Sequence, residues 1–301
     1  MATTASDALL LGQDRTRSAA DVWKFIRGFP TLPTLILLLL VVSAVFAPWL
    51  APHDPELPVR GARVFQNPVW MEGGSWSVPL GTDFQGRDML SRLIFGSRVS
   101  LMVGVCGTIV AGAIGLVLGV LSGYIGGWVD QVIMSFTDAW LALPSIVLGI
   151  FLAMLIGPGT WNVVIILGVV YWTRYARVLR GEVLTLRERD FVRLAQVAGA
   201  SNWRIALRHI VPNVMNTLMV LISLTIGVVI IAEASLSFLG VGVSAPTPAW
   251  GLMLSEARPT LMAGKWWLTV APGVCIALAV LAANLFGDWL RVKLDPQLRN
   301  L

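Results

Sequence analysis

Four carboxylates, Asp130, Asp138, Glu233 and Asp288, lie in or beside long apolar runs. An ionisable side chain at membrane depth is costly to hold and often marks a proton relay or a transport path. Asp130, Glu233 and Asp288 fall near the ends of the runs, where water is expected to reach them. Asp138 falls about two turns inside its run at 3.6 residues per turn. It is expected to make a structural hydrogen bond or to lie on a transport path, with Glu233 the second candidate for that path. A relay needs several ionisable groups on facing helices, and Asp138 by itself is thin support for one.

Other chemistry is not readable. The two His and two Cys are far apart and form no metal site, so no metal is expected. Cys106 and Cys275 sit inside apolar runs, as small hydrophobes and not as a disulfide. No G-x-x-x-x-G-K-[ST] phosphate loop occurs, and the glycines from Gly123 to Gly127 lack the Lys and the preceding strand. No Ser/His/Asp or Cys/His nucleophile set is present, so there are no catalytic candidates and the chain is not expected to be an enzyme. Whatever drives it must come from an ion gradient or from another polypeptide.

The elements that hold these residues are apolar. The chain has 301 residues, 56% hydrophobic and 13% charged, where soluble domains carry about 25% charged residues. Six segments are near the ~20 residues a spanning helix needs: Thr31 to Leu50, Val99 to Leu121, Val132 to Ile156, Asn162 to Leu179, Val211 to Ala232 and Trp266 to Leu290. The fourth is the weakest, because Arg174 and Arg177 sit in its last turns, where snorkelling to the interface is open to them. The fold expected is an all-α polytopic membrane protein with both termini on one side. Lys and Arg divide 15 to the terminal side and seven to the other. The terminal side is therefore expected to be cytoplasmic. The expected organisation is a cytoplasmic tail over 1–30, one six-span domain over 31–290 and a second tail over 291–301. The domain includes an outer loop over 51–97 and a cytoplasmic loop over 180–212. The first apolar run starts only after about thirty residues and is long enough to span, so a retained helix and not a cleaved signal is expected. Just before it, Val22, Phe25, Ile26 and Phe29 recur at i, i+3, i+4 and i+7, which predicts a short amphipathic helix on the inner leaflet.

Gly107, Ala111, Gly115, Gly119 and Gly123 recur every four residues in the second span. Such a stripe lets helix backbones approach closely, and tight packing is its expected role, with sliding during a conformational change the alternative. The outer loop ends in Leu80-Gly-Thr-Asp-Phe-Gln-Gly-Arg-Asp, a turn with capping residues leading into a helix. In the second outer loop, Ser235 to Lys265, Pro246 and Pro248 forbid regular helix. That loop either folds over a pore mouth or is a plain connector.

The stretch RERDFVRLAQVAGASNWRIALRHIVPN, Arg187 to Asn213, is basic and wedged between apolar runs, so it must lie in water. It reads as a helix, a Gly-centred turn and a second helix. Ala195, Gly199 and Ala200 are small enough for close approach of another backbone, and Gly199 tolerates the turn. Arg187, Arg189, Arg193, Arg204 and Arg208 can pair with acidic groups of a partner or with anionic lipid. A loop that merely obeys the positive-inside rule would have the charges without the Gly-Ala-Ser turn. The stretch is expected to dock a soluble partner.

Five blocks in order give the chain a family likeness. They are PLGTDFQGRDMLSRLIFGSRVSL at Pro79 to Leu101, GYIGGWVDQVIM at Gly123 to Met134, the Arg187 to Asn213 stretch, EASLSFLGVGVSAPTPAWGLML at Glu233 to Leu254, and APGVCIALAVLAANLFGDWLRVKLDPQLR at Ala271 to Arg299. With these the chain resembles the permease subunits of binding-protein-dependent ABC importers of the dipeptide, oligopeptide, nickel and glutathione group, in particular the second of the two permeases. The resemblance runs from about Trp23 to Leu298. It implies the type I importer permease fold in a bacterial inner membrane and a homologous second permease as partner. It also implies two ATP-binding subunits that use ATP and Mg, and an external substrate-binding protein. No cofactor held by this chain and no nucleic-acid partner is implied. Short peptides are the implied cargo, with nickel chelates, glutathione and oligosaccharides as alternatives; a secondary transporter driven by an ion gradient is the rival reading.

The resemblance also implies a coupling surface for the ATPases, carried by Arg189, Asp190, Phe191, Arg193, Ala195, Gly199, Ala200 and Ser201. The family's Glu-Ala-Ala pattern falls on Arg193, Leu194 and Ala195. Arg193 reverses the usual charge and Leu194 enlarges a small site. Either the ATPase carries a compensating acidic patch or this subunit couples less strongly. Ser135 stands where relatives usually have Arg.

Overall fold

The computed structural model describes residues 30–294. The amphipathic helix expected on Val22, Phe25, Ile26 and Phe29 lies outside the described residues, as does most of the C-terminal tail. Among the described residues all regular structure is helical, with isolated β-bridges in the first long loop.

Helix α1 is Thr31–Val45, followed after Phe46 by a helical turn, Ala47–Leu50, with Pro48 in its first turn. Helix α2 is Met89–Ile125. It begins well before the expected Val99, because the Asp88 side chain accepts the Ser91 amide at 3.0 Å and caps it. The third apolar run is not one straight helix. It forms α3, Gly127–Leu141, and α4, Ser145–Ile156, bent by 94°. Pro144 lies at the break; it has no amide to donate and disfavours helical backbone at Leu143. Helix α5 is Thr160–Arg187, longer at both ends than expected. Helix α6 is Asp190–Val197. Helix α7, Asn202–Phe238, starts within the basic stretch and contains a π-helical turn at Ala206–Ile210. Helix α8 is Trp250–Ala257 and helix α9 is Trp267–Leu294.

By length and apolar composition four helices can span alone: α2, α5, α7 and α9. The path of the chain follows from which residues the glycines of α2 touch. A Cβ at Gly107 would meet Leu167, one at Gly115 would meet Tyr175, and one at Gly123 would meet Val183. Rising numbers on α2 match rising numbers on α5, so the two helices are parallel. The bent pair α3–α4 must therefore return the chain to the face where α2 began, which makes it one crossing. Gly104 meets Ile230 and Gly112 meets Leu218, so α7 is antiparallel to α2. Gly227 meets Asn284 and Gly287 meets Ser223, so α9 is antiparallel to α7. Ser43, near the end of α1, shares a 3.0 Å hydrogen bond with Ser97, near the start of α2. The described chain thus begins and ends on one face, which also carries residues 188–201 and is termed the basic face. The opposite, long-loop face carries residues 51–88.

The long loop is ordered by buried charge. Arg87 and Arg92 are enclosed. Arg87 Nε donates to Asp83 at 2.6 Å, and Arg92 also pairs with Asp83. Glu256 of α8 reaches Arg87 at 3.1 Å and Arg92 at 2.9 Å. Two cations meet two carboxylates, so the cluster is close to neutral, the condition under which buried charge is tolerated. The second loop is also more than a connector. Regular helix resumes only after Pro248, and Trp250 then packs onto Gly96 of α2 and donates to the Leu93 carbonyl at 3.0 Å.

Candidate functional site

The basic face presents a helix, a turn and a second helix, built by local rules. Helix α6 ends in a Schellman pattern: the Ala200 amide donates to the Ala195 carbonyl and the Gly199 amide to the Gln196 carbonyl, at 3.0 and 2.9 Å. Gly199 takes φ +78, which that closure requires and which a side chain resists. The Ser201 hydroxyl then accepts the Arg204 amide at 3.4 Å and starts α7.

One side of α6 is anchored. Val192 is enclosed, in a cluster with Val183, Leu179, Ile205 and Ile210. The other side is open. Phe191, Leu194 and Val197 are exposed, and Trp203 and Leu207 of α7 extend the same apolar surface. Val197 is 87% exposed. Arg189, Asp190, Arg193, Gly199, Ser201, Arg204 and Arg208 are also exposed, and Ala195 and Ala200 are half-buried. An apolar centre with a charged rim is the usual composition of a protein-docking surface. Beside it, an apolar groove of about 510 Å³ runs between the end of α2 and the start of α7, lined by Leu116, Val120, Trp203 and Leu207 among others.

The Arg193 charge is answered within the chain. Its guanidinium donates to Glu188 at 2.8 Å, and this bond, with the added attraction of Arg187, holds the Glu188 carboxyl below its ordinary range. Neither Glu188 nor Val192 stands out in the sequence. Glu188 lies five positions before Arg193, across a helix start, so helical pairing rules do not find it.

The carboxylates within the helices divide. Glu233 was expected near water and is instead completely enclosed. Ser100 of α2 donates to it at 2.9 Å and Ser237 at 2.8 Å, and Ser237 in turn accepts the Val243 amide at 3.1 Å. The acid ties α2, α7 and the second loop together, at a depth its position near a span end did not reveal. Asp130 is part-buried, not freely hydrated, and pairs with Arg180 and Ser122. Asp138 pairs with Arg177, and this pair is open, with side chains 67% and 53% exposed. Asp288 is exposed. Cys106 and Cys275 are both free. The five-residue small stripe faces α5, where a Cβ at Gly115 would stand 2.3 Å from Tyr175 Cβ and one at Gly119 2.8 Å from the Ala176 carbonyl oxygen.

The chain is similar to known proteins. Residues 115–300 match the family model described as binding-protein-dependent transport system inner membrane component. The di/tripeptide transport system permease protein DppC of Pseudomonas aeruginosa is 42% identical over 88% of this chain and 87% of its own length. The glutathione transport system permease protein GsiD of Pectobacterium atrosepticum is 40% identical over 88% and 86%. The dipeptide transport system permease protein DppC of Bacillus subtilis is 38% identical over 88% and 80%. By this family model and these relatives, the chain belongs to the inner membrane components of binding-protein-dependent transport systems.

Proposed function

We propose that this subunit forms half of the translocation pathway of an ATP-driven importer of short peptides. A homologous permease supplies the other half, an external binding protein delivers cargo, and two ATPase subunits bind and hydrolyse ATP in the cytoplasm. Both termini and the basic face are then cytoplasmic, in keeping with the 15 to seven division of Lys and Arg. The observation that carries the reading is the exposed apolar surface of α6 and the start of α7, anchored by Val192 and turned at Gly199. Closure of the ATPase pair on ATP would pull on it and switch the helices between inward-open and outward-open states.

Short peptide is the favoured cargo because the relatives' names span dipeptide, di/tripeptide and glutathione, itself a small peptide. An ion-gradient mechanism finds less support. Glu233 is sealed between two serines, and Asp130 and Asp138 each have an Arg partner. The test is uptake by the reconstituted complex. Dipeptide should accumulate with ATP and no ion gradient; uptake that follows a proton gradient and ignores ATP would overturn the reading. Gly199→Trp should insert and assemble, since a Cβ there meets nothing within 4 Å and the strain of a side chain at φ +78 is confined to the turn outside the spanning helices. It should hydrolyse ATP without transporting. Normal coupled uptake in that variant would remove the docking role.

A further inference from the structure

Helix α5 is long enough to span, but its uncharged stretch before Arg174 covers only 160–173, about 21 Å at 1.5 Å per residue, against a bilayer core of about 30 Å. The next turns carry Arg174, Arg177 and Arg180, so several ångströms of membrane depth fall on charged residues. Charged groups at such depth face a protein interior or water, not lipid. Arg180 is satisfied inside the chain by Asp130. Arg174 and Arg177, one turn apart, both point outward. Arg177 is held by Asp138 of α3, and that pair is more than half exposed. Arg174 forms no ion pair among the described residues. Ser135, one turn before Asp138 on α3, is exposed as well. Phe136, stacked on Trp172 of α5 at 6.0 Å, is an exposed apolar surface next to the charges.

We propose that Arg174, Arg177 and Asp138 line the water-filled inner half of the translocation route and hold the two charged ends of a zwitterionic peptide. This rests on the importer reading above. The peptide carboxylate lies on Arg174 and Arg177, and its ammonium lies on Asp138. Two cations and one carboxylate carry one net positive charge, so the group needs an anion, and Asp138 makes that anion better when it also brings an ammonium. An ion with one charge satisfies half of the arrangement. The pairing between Arg177 and Asp138 keeps the site closed when empty, and the arriving zwitterion exchanges one ion pair for two.

The experiment uses the assembled transporter with Cys106 and Cys275 replaced by Ala and Ser135→Cys added. The new thiol should react with a membrane-impermeant maleimide applied from the cytoplasmic side. L-alanyl-L-alanine at millimolar concentration should slow that reaction several-fold. N-acetyl-L-alanyl-L-alanine, its C-terminal amide and the doubly blocked peptide should each slow it much less. Asp138→Asn and Arg174→Gln should each abolish protection, and Asp138→Glu should retain it. Arg174→Gln carries the test if Asp138→Asn fails to assemble, because Arg174 holds no ion pair to break. A thiol that does not react, protection equal with a blocked peptide, or protection surviving both substitutions would overturn the site. If the parent complex takes up dipeptide with ATP while protection is absent, the site fails and the importer reading stands. If uptake of dipeptide also fails, the cargo reading falls with it.

Discussion

At the scale of single residues, Arg193 and Leu194 are the two positions at which the resemblance implies a departure from the family pattern, and their surroundings differ. Arg193 is paired with Glu188, so little net charge is offered to a partner at that point. The Arg193 hydrogen bond lowers the Glu188 pKa. The pair is therefore fully formed above the ordinary Glu range and loosens only as pH falls through the lowered value, well away from neutrality. Leu194, 68% exposed, has no such internal answer and adds apolar area to the docking surface. Arg193→Ala should change binding of the ATPase subunit less than two-fold. Leu194→Asp should weaken binding of the ATPase subunit about ten-fold, roughly 1.4 kcal/mol. Co-purification of the ATPase across a concentration series measures both. A larger effect at Arg193 than at Leu194 would show that charge, and not apolar contact, governs docking. The charges and the Gly199 turn of this surface were legible in the residue types; its apolar area on Val197, Trp203 and Leu207 was not. The Glu188 partner was not, because only the bend between α5 and α6 brings it into reach.

At the scale of elements, the parallel contact between α2 and α5 fixes the rest of the bundle. The four-residue stripe announces close packing, and the spacing alone gives its face on α2. It does not give the partner helix, since any smooth helix face could accept it. The structure supplies α5, with Tyr175, Ala176 and Val183 over the glycines. Gly115→Ala would set a Cβ 2.3 Å from Tyr175 Cβ and 2.8 Å from the Trp172 carbonyl oxygen, so the helices must move apart. Overpacking of this kind costs about 1–3 kcal/mol, and thermal unfolding of the purified complex should shift downward. Gly273→Ala in α9, with nothing within 4 Å, should be neutral or raise stability by up to about 1 kcal/mol through helix propensity. Equal effects at the two sites would mean that α2 and α5 are not in backbone contact. Other elements were less readable. The early start of α2 hides in a segment with Arg87 and Arg92, which read as loop cations until Asp83 and Glu256 are found around them. The 94° bend was signalled by Pro144, but the apolar run continues through it and composition gave no reason to divide it.

At the scale of the whole molecule, two faces of unlike character follow from one path. The long-loop face is fastened to the bundle by the buried ion cluster and by Trp250 on Gly96. The basic face ends in a short helix held by few buried side chains, Val192 chief among them, and it presents most of its apolar groups to solvent. The proposed ATPase drive from the basic face fits this asymmetry, with accessible apolar surface on that face and buried fastenings on the other. The orientation of the faces can be read directly. Trp76 in the long loop is 81% exposed and Val197 at the end of α6 is 87% exposed. In a background without Cys106 and Cys275, Trp76→Cys should react with an impermeant thiol reagent from outside intact spheroplasts. Val197→Cys should react only after the membrane is opened. The reverse result would turn the molecule over and end the ATPase-docking reading. Reaction of both from outside would mean that the α3–α4 pair does not complete a crossing, because α2 and α5 could then not run parallel between the same two faces.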